Sequence, residues 1–194
     1  VVFTPHFYAS QNSPKDFLRR RKESWSSLLP NMYRGLPKVS FGAEVQYFEG
    51  ICQAAEIAAL RIAGTPYLLL EMPFRRWEDR MLDDILELST HPDTIVVLAH
   101  IERYLSNVTS RSLAYLRDNG VKIQMNVSTF GERRQGHLAM SMLKAGEIHI
   151  LGTDCHSMGH RRPNWELLPM EAERLLERST EYYGIYDTIQ NITF

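Results

Sequence analysis

Residues 95–100 read IVVLAH. The run is too short for a buried helix and has no polar residue to face water, so it reads as a strand covered on both sides. Such strands belong to parallel sheets with helices packed over them. His100, which stops the run, then stands where a strand end meets the ligand-binding mouth of an α/β fold. The same pattern recurs outward in both directions: VVFTPH at 1–6, VSFGAE at 39–44, YLLLE at 67–71 and IHILGTDCH at 148–156. A further run begins near Val121. After a first interval of about 38 residues the starts repeat about every 27, the length of one strand, one helix and two loops.

The stretches between carry helix signals. Ser13-Pro14-Lys15-Asp16 supplies an N-cap, a proline at the first helical position and an acid in the first turn of a helix reaching about Leu29. Met81, Ile85 and Leu88 share one face of a helix over Trp77 to Leu88. Ser112 to Asn119 closes on Gly120 and His137 to Ala145 on Gly146, residues suited to the left-handed turn after a helix. Trp165 to Glu181 reads as a long amphipathic helix rich in Glu–Arg pairs. Alternating β and α predicts an α/β fold, and six visible units favour a barrel over an open sheet. No linker or repeat divides residues 1–194, which read as one domain.

A formal net charge of −1 gives no electrostatic footprint for nucleic acid or an anionic membrane. Arg19-Arg20-Arg21-Lys22 is the one basic block and reads as a solvated helix face. Two cysteines, Cys52 and Cys155, make no disulfide framework and suit a reducing cytoplasm. No apolar run reaches the roughly 20 residues that crossing a bilayer needs. The opening VVF lacks the pattern of a signal peptide, and a chain beginning inside a strand is expected to have further residues upstream.

Six residues of metal-ligand type fall at these strand ends: His6, Glu44, Glu71, His100, Asp154 and His156. Taken singly, each has a bland explanation as a satisfied core residue or half of an ion pair. Glu71 is the most telling, because a glutamate after Tyr-Leu-Leu-Leu needs something to compensate its charge. Asp154 and His156, two apart, are expected to share one face of a strand, with Cys155 turned away. Six such residues at equivalent ends point to a cluster of divalent metals with positions open for chemistry. Arg103, three residues after His100, and Arg161, five after His156, add guanidinium forks that match phosphate oxygens, so hydrolysis of a phosphomonoester is the expected reaction. His160 is a substrate-binding, acid or supporting candidate. His91, His137 and His149 read as structural or exposed.

The segments TPHFYA, FGAEVQY, LLLEMPF, VVLAHIERY, QMNVSTF and LGTDCHSMGHRRPN together resemble the bacterial capsule-biosynthesis tyrosine phosphatases of the polymerase and histidinol phosphatase (PHP) superfamily. The resemblance implies a distorted (β/α)₇ barrel with up to three metals, most often manganese, with iron or zinc as alternatives. It implies dephosphorylation of the tyrosine-rich tail of a partner autokinase, with a metal-bridging hydroxide as nucleophile. By position, Glu44 would bridge two metals, Glu71 and His100 would complete the second, Asp154 would serve the first, and His6 with His156 the third. Arg103 and Arg161 would hold the phosphate. The family begins with a His-x-His strand, an acidic ligand and a helix that do not occur here, so roughly 40 further residues are expected upstream. Thr129 to Gly136 also reads as abbreviated, and Arg162 stands where the family has proline.

Other readings use the same residues. Cys155 and Arg161 have the C-x₅-R spacing of cysteine-dependent phosphatases, although His-Ser-Met-Gly-His is a poor phosphate loop. The scaffold also serves histidinol phosphate and nucleic-acid phosphoesters, and fold does not determine substrate. A truncated domain acting as a binding module is the non-enzymatic alternative.

Overall fold

In the computed structural model, which describes residues 1–32, 38–159 and 161–178, every strand pairing is parallel. The first two positions in the sheet are interrupted strands. β1 (Val2–Phe3) pairs with β3 (Ser40–Phe41), and β2 (His6–Phe7) with β4 (Glu44–Gln46), in one continuous register, Val2 opposite Ser40 and His6 opposite Glu44. The gap falls at Thr4-Pro5 and Gly42-Ala43, where Pro5 has no N–H to donate. Its carbonyl still accepts from Glu44 N at 3.1 Å. Gly42 is required here for space, since a Cβ would lie 2.9 Å from Ile62 Cγ1.

β5 (Tyr67–Glu71), β6 (Ile95–Leu98), β7 (Lys122–Asn126) and β8 (Ile150–Gly152) follow. The main ladder runs β2-β4-β5-β6-β7-β8 in chain order. The result is a curled six-stranded half-barrel. Among the described residues no ladder joins β8 to β2, and six strands of the expected distorted (β/α)₇ barrel are seen in the main ladder.

The helices are α1 (Pro14–Leu28), α2 (Asp79–Leu88), α3 (Ser110–Asp118), α4 (Gln135–Lys144) and α5 (Met170–Arg178). Ser13 caps α1 as expected, its Oγ accepting from Asp16 N at 3.1 Å. The long helix expected from Trp165 divides into a 3₁₀ turn, Trp165–Leu167, and α5, with Pro169 between; its expected end at Glu181 lies outside the described residues.

Strict β–α alternation fails once. Between β4 and β5 the chain makes two 3₁₀ segments, Ile51–Gln53 and Ala55–Leu60, in place of an α-helix. Gly50 enters the first with φ +74°, and Ala54 breaks the run at φ −85°, ψ 81°. Buried Ile57 and Leu60, three apart, match the three-residue repeat of a 3₁₀ turn. The basic block also departs from expectation. Arg21 is half-buried, its guanidinium over the rings of Phe17 and Phe41, and it donates to the Gly42 carbonyl exposed by the strand break. Burial holds its pKa below the usual guanidinium value.

α2 closes the core with Met81, Ile85 and Leu88, and also buries Asp84. That carboxylate accepts from Tyr47 Oη at 2.5 Å, Cys52 Sγ at 3.2 Å and Gly50 N at 3.4 Å, tying α2 to the 3₁₀ connection. Burial, with Asp84 adding to it, pushes the Cys52 thiol up to about 11 and the Tyr47 phenol further. Among the described residues no helix is long and apolar enough to cross a membrane.

Asp84→Ala leaves those donors without their charged acceptor and is expected to cost about 3 kcal/mol of unfolding free energy in urea melts. A thiol count with Ellman's reagent should find exposed Cys155 alone in the native chain and Cys52 as well on unfolding. An unchanged melt would remove Asp84 from the core's supports.

Candidate metal centre

The strand register dictates which ligand-type residues meet. His6 lies opposite Glu44 on neighbouring strands, and Glu71 lies opposite Gln46, two residues further along the same strand as Glu44. One ligand atom from each of His6, Glu44 and Glu71 falls within 4.8 Å of the others. Glu44 is not the last residue of its strand, as the sequence suggested. It resumes the strand after the Gly42-Ala43 gap, which lets its carboxylate turn into the mouth.

His100 reaches the same point by a different device. β6 ends at Leu98, and His100 takes a left-handed backbone, φ 35° and ψ 55°. A residue with a Cβ adopts that region only where its surroundings hold it there. Its Nε2 lies 3.2 Å from Glu44 Oε1 and 3.4 Å from Glu71 Oε1, while His6 Nε2 is 3.4 Å from the same Glu44 oxygen. The His100 side chain is 2 % exposed. Burial pulls its pKa down, but the hydrogen bonds to Glu44 and Glu71 outweigh that and raise it to about 9. The bond from His100 in turn holds Glu71 below the usual carboxylate range against its own burial.

A second cluster forms around Asp154. β8 stops at Gly152, so the alternation expected to align Asp154 with His156 does not operate. A left-handed turn at Asp154, φ 49°, brings them together instead, His156 Nδ1 lying 3.4 Å from Asp154 Oδ1. Asp154 Oδ2 accepts from Arg103 Nη2 at 2.5 Å and from Arg161 Nη2. The loop returns Arg161 to this position because its carbonyl accepts from the backbone N–H of His156 and Ser157. Arg162 points elsewhere, pairing with Glu166 at 2.7 Å. His6 and His156, with ring centroids 5.6 Å apart, join the two clusters. Tyr8 stacks on His6 at 5.9 Å. Cys155 is exposed, its thiol donating to Ser157 O at 3.6 Å. His160 lies outside the described residues.

Sequence reading missed Gln124, Asn126 and Glu102, all beneath this mouth. The signal was present: in QMN two polar residues two apart interrupt an apolar strand, so both face the same side. Glu102 Oε2 accepts from Asn126 N at 3.2 Å, and burial pushes its carboxyl up. Beyond Arg103 opens a polar cleft of about 270 Å³, lined by Glu102, Asn126, Ser128, Thr129, Glu132 and Gln135.

The donor set fits a divalent cation. Imidazole nitrogens and carboxylate oxygens suit manganese, iron or zinc alike. His100 Nδ1 is buried without a protein partner among the described residues, and Nε2 is the atom aimed at the carboxylates.

Two comparisons place the chain among known proteins. The family profile for capsular polysaccharide synthesis, CpsB/CapC, matches residues 1–183. A solved structure from the crystallography of YwqE from Bacillus subtilis and CpsB from Streptococcus pneumoniae, described as unique metal-dependent tyrosine phosphatases, is similar in fold. The likeness has a TM-score of 0.73 and 20 % identity, and covers 98 % of this chain and 80 % of that one. No curated protein sequence matches.

His100 gives the metal-free protein a specific pH dependence. Its folded value near 9 exceeds the ordinary 6.5, so the ion pair stabilises fully below pH 6.5 and is lost as pH rises through 9. Thermal melts with chelator should fall across that interval, by on the order of 3 kcal/mol, and His100→Gln should flatten the fall. A melting temperature independent of pH from 6.5 to 9.5 would contradict this.

Proposed function

The chain belongs to the capsular polysaccharide synthesis CpsB/CapC family, and from that premise we propose that it is a metal-dependent protein-tyrosine phosphatase. Its proposed substrate is the phosphorylated tyrosine-rich tail of a bacterial autokinase in capsule or exopolysaccharide synthesis, and its proposed setting the cytoplasm. The observation that carries the reading is the convergence of two guanidinium groups on one oxygen, Asp154 Oδ2, beside the His6–Glu44–Glu71 cluster and the His100 that contacts its carboxylates. The position that Oδ2 takes is one where an anionic oxygen is held by Arg103 and Arg161 together, which is what a phosphoryl group requires.

Glu44, Glu71, His100 and His6 would hold divalent metal, manganese first among the candidates, and Asp154 with His156 would extend the site toward as many as three ions. When bound, the metals supply Lewis-acid polarisation of the phosphoryl group and lower the pKa of attacking water. The chain's own residues do the rest. Arg103 and Arg161 exchange Asp154 for two phosphoryl oxygens and orient phosphorus toward the carboxylate cluster. Water adds to phosphorus, the P–O bond to the phenol breaks, and the proton released passes to the departing phenolate to give tyrosine and inorganic phosphate. His160, four residues after His156 in the sequence, is the proposed acid. The thiol reading has less support: Cys155 Sγ points to Ser157 O, and Arg161 is committed to Asp154.

Turnover of p-nitrophenyl phosphate should vanish with EDTA and return with Mn²⁺. Arg103→Ala and Arg161→Ala should each lower kcat/KM by about 100-fold, the loss of one charged hydrogen-bonding group in the transition state. Cys155→Ser should leave turnover unchanged. Activity that survives chelation, or is lost in Cys155→Ser, would replace the metal mechanism with a thiol one. Phosphotyrosine peptides turned over no better than histidinol phosphate would move the substrate to a small molecule.

A further inference from the structure

We infer that Gln124 is a positioning residue that sets the metal cluster and the phosphate cluster together. The inference rests on the metallophosphatase reading above. Gln124 and Asn126 face one side of β7, both buried. Gln124 Oε1 accepts from His100 N at 2.5 Å, and Gln124 Nε2 donates to Asn126 Oδ1 at 3.0 Å. Asn126 Nδ2 continues the chain toward Asp154 Oδ2, at 3.5 Å. One line of amides therefore runs from the left-handed turn of His100 to the left-handed turn of Asp154.

The link at His100 has the larger leverage. Its backbone N–H belongs to a residue in a conformation disfavoured for any side chain with a Cβ, and Gln124 is its partner. The same turn points Nε2 at Glu44 and Glu71 and opens the 3₁₀ segment Ile101–Tyr104, in which Arg103 N donates to His100 O at 3.0 Å. Displacing the turn moves a metal ligand and a phosphate ligand at once. The sheet reserves space for this amide. Gly152 pairs with Asn126 across β7–β8, and a Cβ there would lie 3.0 Å from Gln124 Nε2.

Gln124→Met keeps the volume and removes both hydrogen bonds, whereas Gly152→Ala crowds the amide without altering any ligand. Two readouts separate positioning from stability: Mn²⁺ affinity by calorimetry, and inhibition by inorganic phosphate, which reports the arginines. In folded Gln124→Met both should weaken together by about tenfold or more, the loss reported for residues that orient metal ligands. In Gly152→Ala both should weaken in the same direction by a smaller factor, which keeps the inference testable should the methionine variant not fold. Native Mn²⁺ affinity and native phosphate inhibition in either folded variant would overturn the role of Gln124 and leave the metal reading intact. Absence of Mn²⁺ binding in the unaltered chain would overturn the metal reading and this inference with it.

Discussion

Two carboxylates, Glu44 and Glu71, are carried into a nearly dry mouth by parallel strands, and the site depends on what neutralises them. Burying unpaired charge costs several kcal/mol even after relaxation, so the fold supplies a cationic partner between them, His100 on both oxygens. Several features serve this one requirement. The gap at Thr4-Pro5 and Gly42-Ala43 lets His6 and Glu44 restart their strands facing the mouth. The left-handed turn of His100 brings the imidazole in from the next strand but one, and the Gln124 amide accepts its backbone N–H.

The same constraint explains why a metal suits the site and a proton serves without one. An imidazolium offers one positive charge and a single N–H at Nε2 to two carboxylates, whereas a divalent ion offers two charges and several coordination positions. A divalent ion bound there would compete with the proton for the same nitrogen and oxygens, so its binding should be favoured as pH rises through the His100 value near 9. The Asp154 cluster has the opposite polarity. There two guanidinium groups share one carboxylate, the arrangement on which the proposed phosphate site rests.

Much of this was legible in the sequence because strand ends are punctuated. IVVLAH, YLLLE and TPH each stop on a residue that an apolar strand has no reason to contain. His6, Glu44 and Glu71 meet because parallel pairing aligns those stops, although Glu44 proved to restart a strand, not to end one, and His100 joins them through its left-handed turn. Three things were less legible. The connection 47–66 lacks an α-helix because glycine and a three-residue apolar spacing favour 3₁₀ turns, a distinction that the overall β–α period hides. Asp154 and His156 meet through a left-handed turn, which a period-of-two argument cannot foresee for a residue other than glycine. Gln124 and Asn126 escaped notice because amides carry no charge, although their place on one face of a buried strand marked them as partners for something.

The most direct test is anomalous diffraction at the manganese edge from Mn²⁺-soaked crystals. The expected result is a peak roughly 2.0 to 2.3 Å from carboxylate oxygens of Glu44 and Glu71 and from Nε2 of His100, with His100 Nε2 no longer directed at either carboxylate as a donor. A map with no peak among these residues, the imidazole still bridging Glu44 and Glu71, would contradict the assignment of this cluster as a metal centre.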